Sequence, residues 1–117
     1  MQKERGDWDG GSLVKLNNAV AATAIGAFLR RLRKQGRSPD RWEAEQTVRA
    51  MAFLKSGQYR KAIDHVGKAR LPPSKRDPAA VRAIEKAAAG HVMPSLAALQ
   101  TILEEICDEF GGLPPRG

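Results

Sequence analysis

Glycine and proline punctuate this chain at intervals that suit helices. Gly36, Gly57, Pro72-Pro73, Gly90 and Gly111-Gly112 divide it, and between them apolar residues recur three and four apart. That spacing lines one face of an α-helix. No segment shows the apolar–polar alternation of a half-buried strand. The first helix starts at Ser12 as N-cap, carries Leu13, Leu16, Val20, Ala24, Ala27 and Leu32, and ends at Gly36. Ser38-Pro39-Asp40 starts a second, with Ser38 as cap and Pro39 at the first helical position. It runs to about Ser56 and is closed by Gly57. The third covers roughly Gln58 to Arg70, and Leu71-Pro72-Pro73 stops it. After a linker at Ser74 to Arg76, Asp77-Pro78 opens a fourth with Val81, Ile84 and Ala88 on one face. The fifth begins near Pro94 and carries Leu96, Leu99, Ile102, Leu103, Ile106 and Phe110. The expectation is an all-α fold, a compact bundle of about five helices in one domain over residues 12–111. A polar arm (1–11) precedes it, with Trp8 able to dock on the body, and a tail (112–117) follows.

Composition sharpens that picture. A chain of 117 residues suits one domain. Six aromatic residues among abundant alanine point to closely approaching helices. Ala22 and Gly26, four apart, permit such an approach either inside the core, the preferred reading, or across a homodimer seam. The longest mainly apolar run, residues 19–29, is about half of what a membrane span needs. The N-terminus has no apolar signal core, and the single cysteine, Cys107, has no partner for an internal disulfide. A cytoplasmic protein with no membrane contact is expected.

Residues 45–73 resemble one tetratricopeptide-type (TPR-like) helical hairpin. The matching residues are Ala50 and Phe53 on the first helix, Gly57 in the turn, and Tyr59, Ala62, Ile63, Val66 and Ala69 on the second. Lys68-Ala69 followed by prolines fits the way such a unit ends. Gln46 and Arg49 stand where the family usually has a large aromatic and a leucine, and the prolines come a residue or two early. One repeat length from Ala62 lands on Leu96 downstream and Phe28 upstream, so the phrase does not recur. Since a solenoid needs about three stacked units, this is a central hairpin inside a bundle, covered by the first, fourth and fifth helices. The resemblance implies protein–protein contact and no catalysis.

The residues that could carry chemistry are sparse. His65 lies beside Asp64, but neighbouring helical residues point about 100° apart, so Asp64 does not orient it. His91 sits in a turn. Cys107 adjoins Ile106 on an apolar helix, where a half-buried inert thiol is the usual state. No CxxC, HExxH, EF-hand loop, phosphate-binding glycine loop or GxSxG occurs. No enzyme activity, cofactor or metal is expected.

Charge is the strongest surface signal. Residues 1–76 carry a net +10 and residues 77–117 a net −3. One basic group is Arg30, Arg31, Arg33, Lys34, Arg37 and Arg41. A second is Arg60, Lys61, Lys68, Arg70, Lys75 and Arg76. Such a surface suits an anionic partner, either a protein with an acidic surface or the backbone of DNA or RNA. The sequence favours an interaction module for a partner protein. The alternative is an accessory nucleic-acid binder, such as a small helical subunit of a ribonucleoprotein. Glu104, Glu105, Asp108 and Glu109 crowd the negative end of the fifth helix, where anions are unfavourable. Compensation is expected from Arg30, Arg31, Arg33 and Lys34 of the same chain, the preferred reading, or from a basic patch on a partner.

Overall fold

The computed structural model describes the backbone of residues 13–109 and the side chains of residues 17–109, and every regular element in that range is helical. The elements are α1 (Leu13–Lys34), α2 (Arg41–Lys55), α3 (Tyr59–Ala69), a short 3-10 turn (Pro73–Lys75), α4 (Pro78–Ala87) and α5 (Leu96–Glu109). The expected all-α bundle is therefore present. Ser12, Phe110, the polar arm and the tail lie outside the described residues.

The core forms where four helices meet. Ile25, Leu29 and Leu32 of α1 join Met51 and Leu54 of α2, Val66 of α3, and Leu99 and Leu103 of α5, all nearly inaccessible to water. Ala50, Ala62 and Ala69 have no exposed surface, and their small side chains let α2, α3 and α1 approach closely. α1 packs on α2, α3 and α5, and α5 also packs on α2. Among the described elements α4 rests on α2 alone, so α1 and α5 cover the hairpin while α4 lies against its first helix.

Two sequence expectations are corrected. The buried face of α1 is Ala21, Ala22, Ile25, Phe28, Leu29 and Leu32, whereas Val20 is half exposed and Ala27 points to solvent. The inferred stripe was rotated by about one residue, an easy slip where alanines fill several registers. Ala22 is buried, and a Cβ on Gly26 would sit 3.7 Å from Leu103 Cδ2, so this small pair packs inside the chain. The second correction concerns α2. It starts at Arg41, with Asp40 as N-cap, and neither Ser38 nor Pro39 takes that role. Along the other faces, Ile63 and Ile102 are more than a third exposed, and Tyr59 and Phe53 are half-buried against the core.

The turn between α2 and α3 needs its glycine. Gly57 has φ +80°, and its N–H and that of Gln58 donate to the Leu54 and Phe53 carbonyls, closing α2. An L side chain at that φ is strained. Gly57→Ala should therefore destabilise the fold by about 1 kcal/mol, read as a lower thermal midpoint with unchanged helical circular dichroism at low temperature.

Candidate functional site

The junction between α1 and α2 is built around one enclosed carboxylate. Asp40 caps α2 by accepting from the Glu43 N–H at 2.8 Å, and Glu43 returns the bond by accepting from the Asp40 N–H at 2.9 Å. This reciprocal capping box fixes the first turn of the helix. Arg37 then donates to both Glu43 oxygens, at 2.8 and 2.6 Å. The Glu43 side chain is 5% exposed, that of Arg37 45%. Burial pushes the Glu43 carboxyl up, but the bonds from Arg37 and the Asp40 N–H outweigh it and hold the group below its ordinary range.

The segment after α3 is drawn onto the same corner. Arg76 donates to the other Asp40 oxygen at 3.1 Å and to the Leu71 carbonyl at 3.1 Å. Its guanidinium lies 5.6 Å from the centre of the Trp42 ring. Trp42 is itself buried and donates from Nε1 to the Lys68 carbonyl at 2.7 Å, pinning the last turn of α3 to the first turn of α2.

Between these elements lies a cleft of about 520 Å³. Arg31, Arg37, Arg70 and Arg76 stand around it, Phe28 and Leu32 form its floor, and Leu71-Pro72-Pro73 forms one wall. Asp40 and Glu43 line the remaining side. Arg37 and Arg76 are held by these two carboxylates, while Arg31 and Arg70 are exposed and make no ion pair among the described residues.

The other basic residues do not all converge here. Arg30, Arg33 and Lys34 are exposed on the last turns of α1, beside the cleft. Lys68 and Lys75 are exposed on α3 and on the 3-10 turn. Arg60 and Lys61 occupy the opposite end of α3, about 15 Å from Arg70 by helix rise. They sit over Tyr59 and Phe53 respectively. Arg41 donates to the His91 carbonyl at 3.3 Å and faces a second, smaller cleft between α2 and α4. The expected basic surface is thus divided, with its densest part at the α1–α2–α3 corner. Asp40, Trp42 and Glu43 were missed as site residues, although the Asp-x-x-Glu spacing of a capping box was present.

The expected pairing of the C-terminal acids is absent. Glu104, Glu105, Asp108 and Glu109 are exposed, and none makes an ion pair with Arg30, Arg31, Arg33 or Lys34. Cys107 is more deeply enclosed than expected, 1% exposed, and burial raises its thiol pKa, with Asp108 and Glu104 adding to the effect. Such a thiol is a poor nucleophile. Neither histidine hydrogen-bonds to it. Among the described residues no cluster of three or more His, Cys, Asp or Glu side chains is arranged to hold a metal, and no helix is long and apolar enough to cross a membrane.

Comparison of the chain with protein-family models, with curated proteins and with solved structures finds no match.

His65 explains the polar residue at position 46. Gln46 is 2% exposed, and its Oε1 lies 2.6 Å from His65 Nδ1. An amide oxygen only accepts, so Nδ1 carries the hydrogen. The imidazole stacks on Phe53 with ring centres 5.3 Å apart. Burial lowers the His65 pKa, reinforced by the charges of Lys68 and Arg49, with Asp64 opposing weakly. The unfolded chain therefore binds a proton near the ordinary histidine value, about 6.5, while the folded chain resists it. Stability should fall as pH drops through that value and level off below the lowered folded value. His65→Gln should remove this part of the pH dependence, checked by denaturant midpoints between neutral pH and pH 5.

Proposed function

We propose that this chain is a non-enzymatic helical interaction module, an adaptor or regulatory subunit, whose TPR-like α2–α3 hairpin helps present a basic surface to a partner protein with an acidic surface. The observation that carries this reading is the mixed lining of the corner cleft. Four arginines surround it, but two carboxylates and an apolar wall share the lining. A surface that tracks phosphates gains from an unbroken run of cations, since each phosphate neutralised releases counterions. Here Asp40 and Glu43 interrupt the run, and Arg60 and Lys61 stand apart from it. An acidic protein segment matches the combination better, because it supplies carboxylates and apolar surface together.

The runner-up reading, an accessory nucleic-acid binder contacting phosphates, draws on Arg30, Arg31, Arg33 and Lys34, all exposed at the end of one helix. The two readings differ in salt dependence. Fluorescence-anisotropy titrations against acidic peptides, duplex DNA and RNA, at low and near-physiological salt, separate them. Acidic-peptide binding should persist at physiological salt while nucleic-acid binding fades. Arg31→Glu with Arg70→Glu should weaken the peptide about tenfold or more, roughly the loss expected from removing charged contacts. Nucleic-acid binding that survives physiological salt, with no peptide binding, would favour the runner-up.

A further inference from the structure

We propose that the corner cleft takes an acidic peptide segment whose one large apolar side chain sits against Leu71 and Pro72, above the buried Phe28 and Leu32, with carboxylates on either side reaching Arg31 and Arg70. This rests on the reading of the basic surface as a protein-docking surface and names what docks there.

The charges set the first requirement. Arg37 is taken up by Glu43, and Arg76 by Asp40, so the arginines left for a ligand are Arg31 and Arg70. Both are exposed. Four arginines against two carboxylates leave the cleft lining at +2 near neutral pH, matching a segment with two or three carboxylates. A long acidic tract would meet Asp40, whose side chain is 46% exposed, and like charges there are unfavourable.

The wall sets the second requirement. Pro72 and Pro73 have no N–H to donate. The Leu71 carbonyl accepts from Arg76 Nε, the Pro72 carbonyl from the Lys75 N–H at 2.8 Å, and the Pro73 carbonyl from the Arg76 N–H at 3.3 Å. The wall therefore has no backbone donor at its prolines and its carbonyls are already engaged, so it does not favour pairing with a β-strand. It presents the half-buried Leu71 side chain and the exposed ring of Pro72, over a floor of Phe28 and Leu32. Pro72 is extended, with φ −65° and ψ 156°, and Pro73 then opens the 3-10 turn, so the wall is short and suits one anchor side chain. A volume of about 520 Å³ falls in the range of clefts that enclose small ligands, about 300–1,000 Å³, which is room for an anchor side chain and its flanking groups.

Four labelled probes test the proposal in anisotropy titrations at physiological salt. They are an acidic peptide with a central tryptophan, the same peptide with serine in its place, oligoglutamate, and a DNA duplex. The tryptophan peptide should bind at least about tenfold more tightly than the serine peptide or oligoglutamate. Leu71→Ser, which removes apolar surface without adding charge, should erase most of that advantage while leaving serine-peptide binding within about twofold. Arg31→Glu with Arg70→Glu should weaken both peptides. Circular dichroism establishes that each variant is folded, and Leu71→Ala replaces Leu71→Ser if the latter is not. Equal binding of the tryptophan and serine peptides would overturn the apolar anchor and leave the acidic docking surface standing. Binding of the duplex with no binding of any peptide would overturn the docking surface as well.

Discussion

Glu43 is a carboxylate enclosed almost completely at a corner of the bundle, and much of the site follows from satisfying it. A charge withdrawn from water needs charged and hydrogen-bonding partners close by. Arg37 and the Asp40 N–H supply them, and both come from the turn between α1 and α2. Holding Asp40 there sets the start of α2 and aims its second oxygen at Arg76. Arg76 in turn folds the segment after α3 across Trp42. The α1–α2 turn, the first turn of α2 and the proline segment are thereby tied into one unit.

That linkage also tempers the basic surface. Two of the four arginines around the cleft are spent on internal contacts, so the site has fewer free cations than its composition suggests. Their guanidinium planes are fixed in place, by a two-point carboxylate contact for Arg37 and by an indole beneath for Arg76. Arg31 and Arg70 retain their freedom. The cleft thus sets two arginines held by internal contacts beside two that are exposed and unpaired among the described residues.

Much of the fold was legible in the sequence, because helical periodicity and glycine–proline punctuation act over short distances. The third helix shows this best, with Ala62, Val66 and Ala69 buried as their spacing implied. The face of α1 was less legible, since alanines at 21, 22, 24 and 27 leave several registers open and only tertiary contact chooses among them. The start of α2 was marked twice, by Ser38-Pro39 and by Asp40-x-x-Glu43, and the reciprocal hydrogen bonds decided for the second. The cleft was not legible as such. Arg31, Arg37, Arg70 and Arg76 meet only because α3 runs back along α2, and a count of charges does not record that return. The acidic end of α5 carries the converse lesson, since opposite charges balanced along a chain need not meet in the fold.

The attachment of α4 has a different consequence. Among the described elements it touches α2 alone, and Ile84 is its one buried residue. Each helix of the central core packs on at least two others, whereas α4 can separate by losing one interface. Native proteins open in cooperative units whose stability follows their buried contacts. α4 is thus the natural candidate for the first such unit to come away, leaving the four-helix core intact. Amide hydrogens within α4 would exchange through this partial opening, while those of α2 beneath it would wait for the whole bundle to unfold.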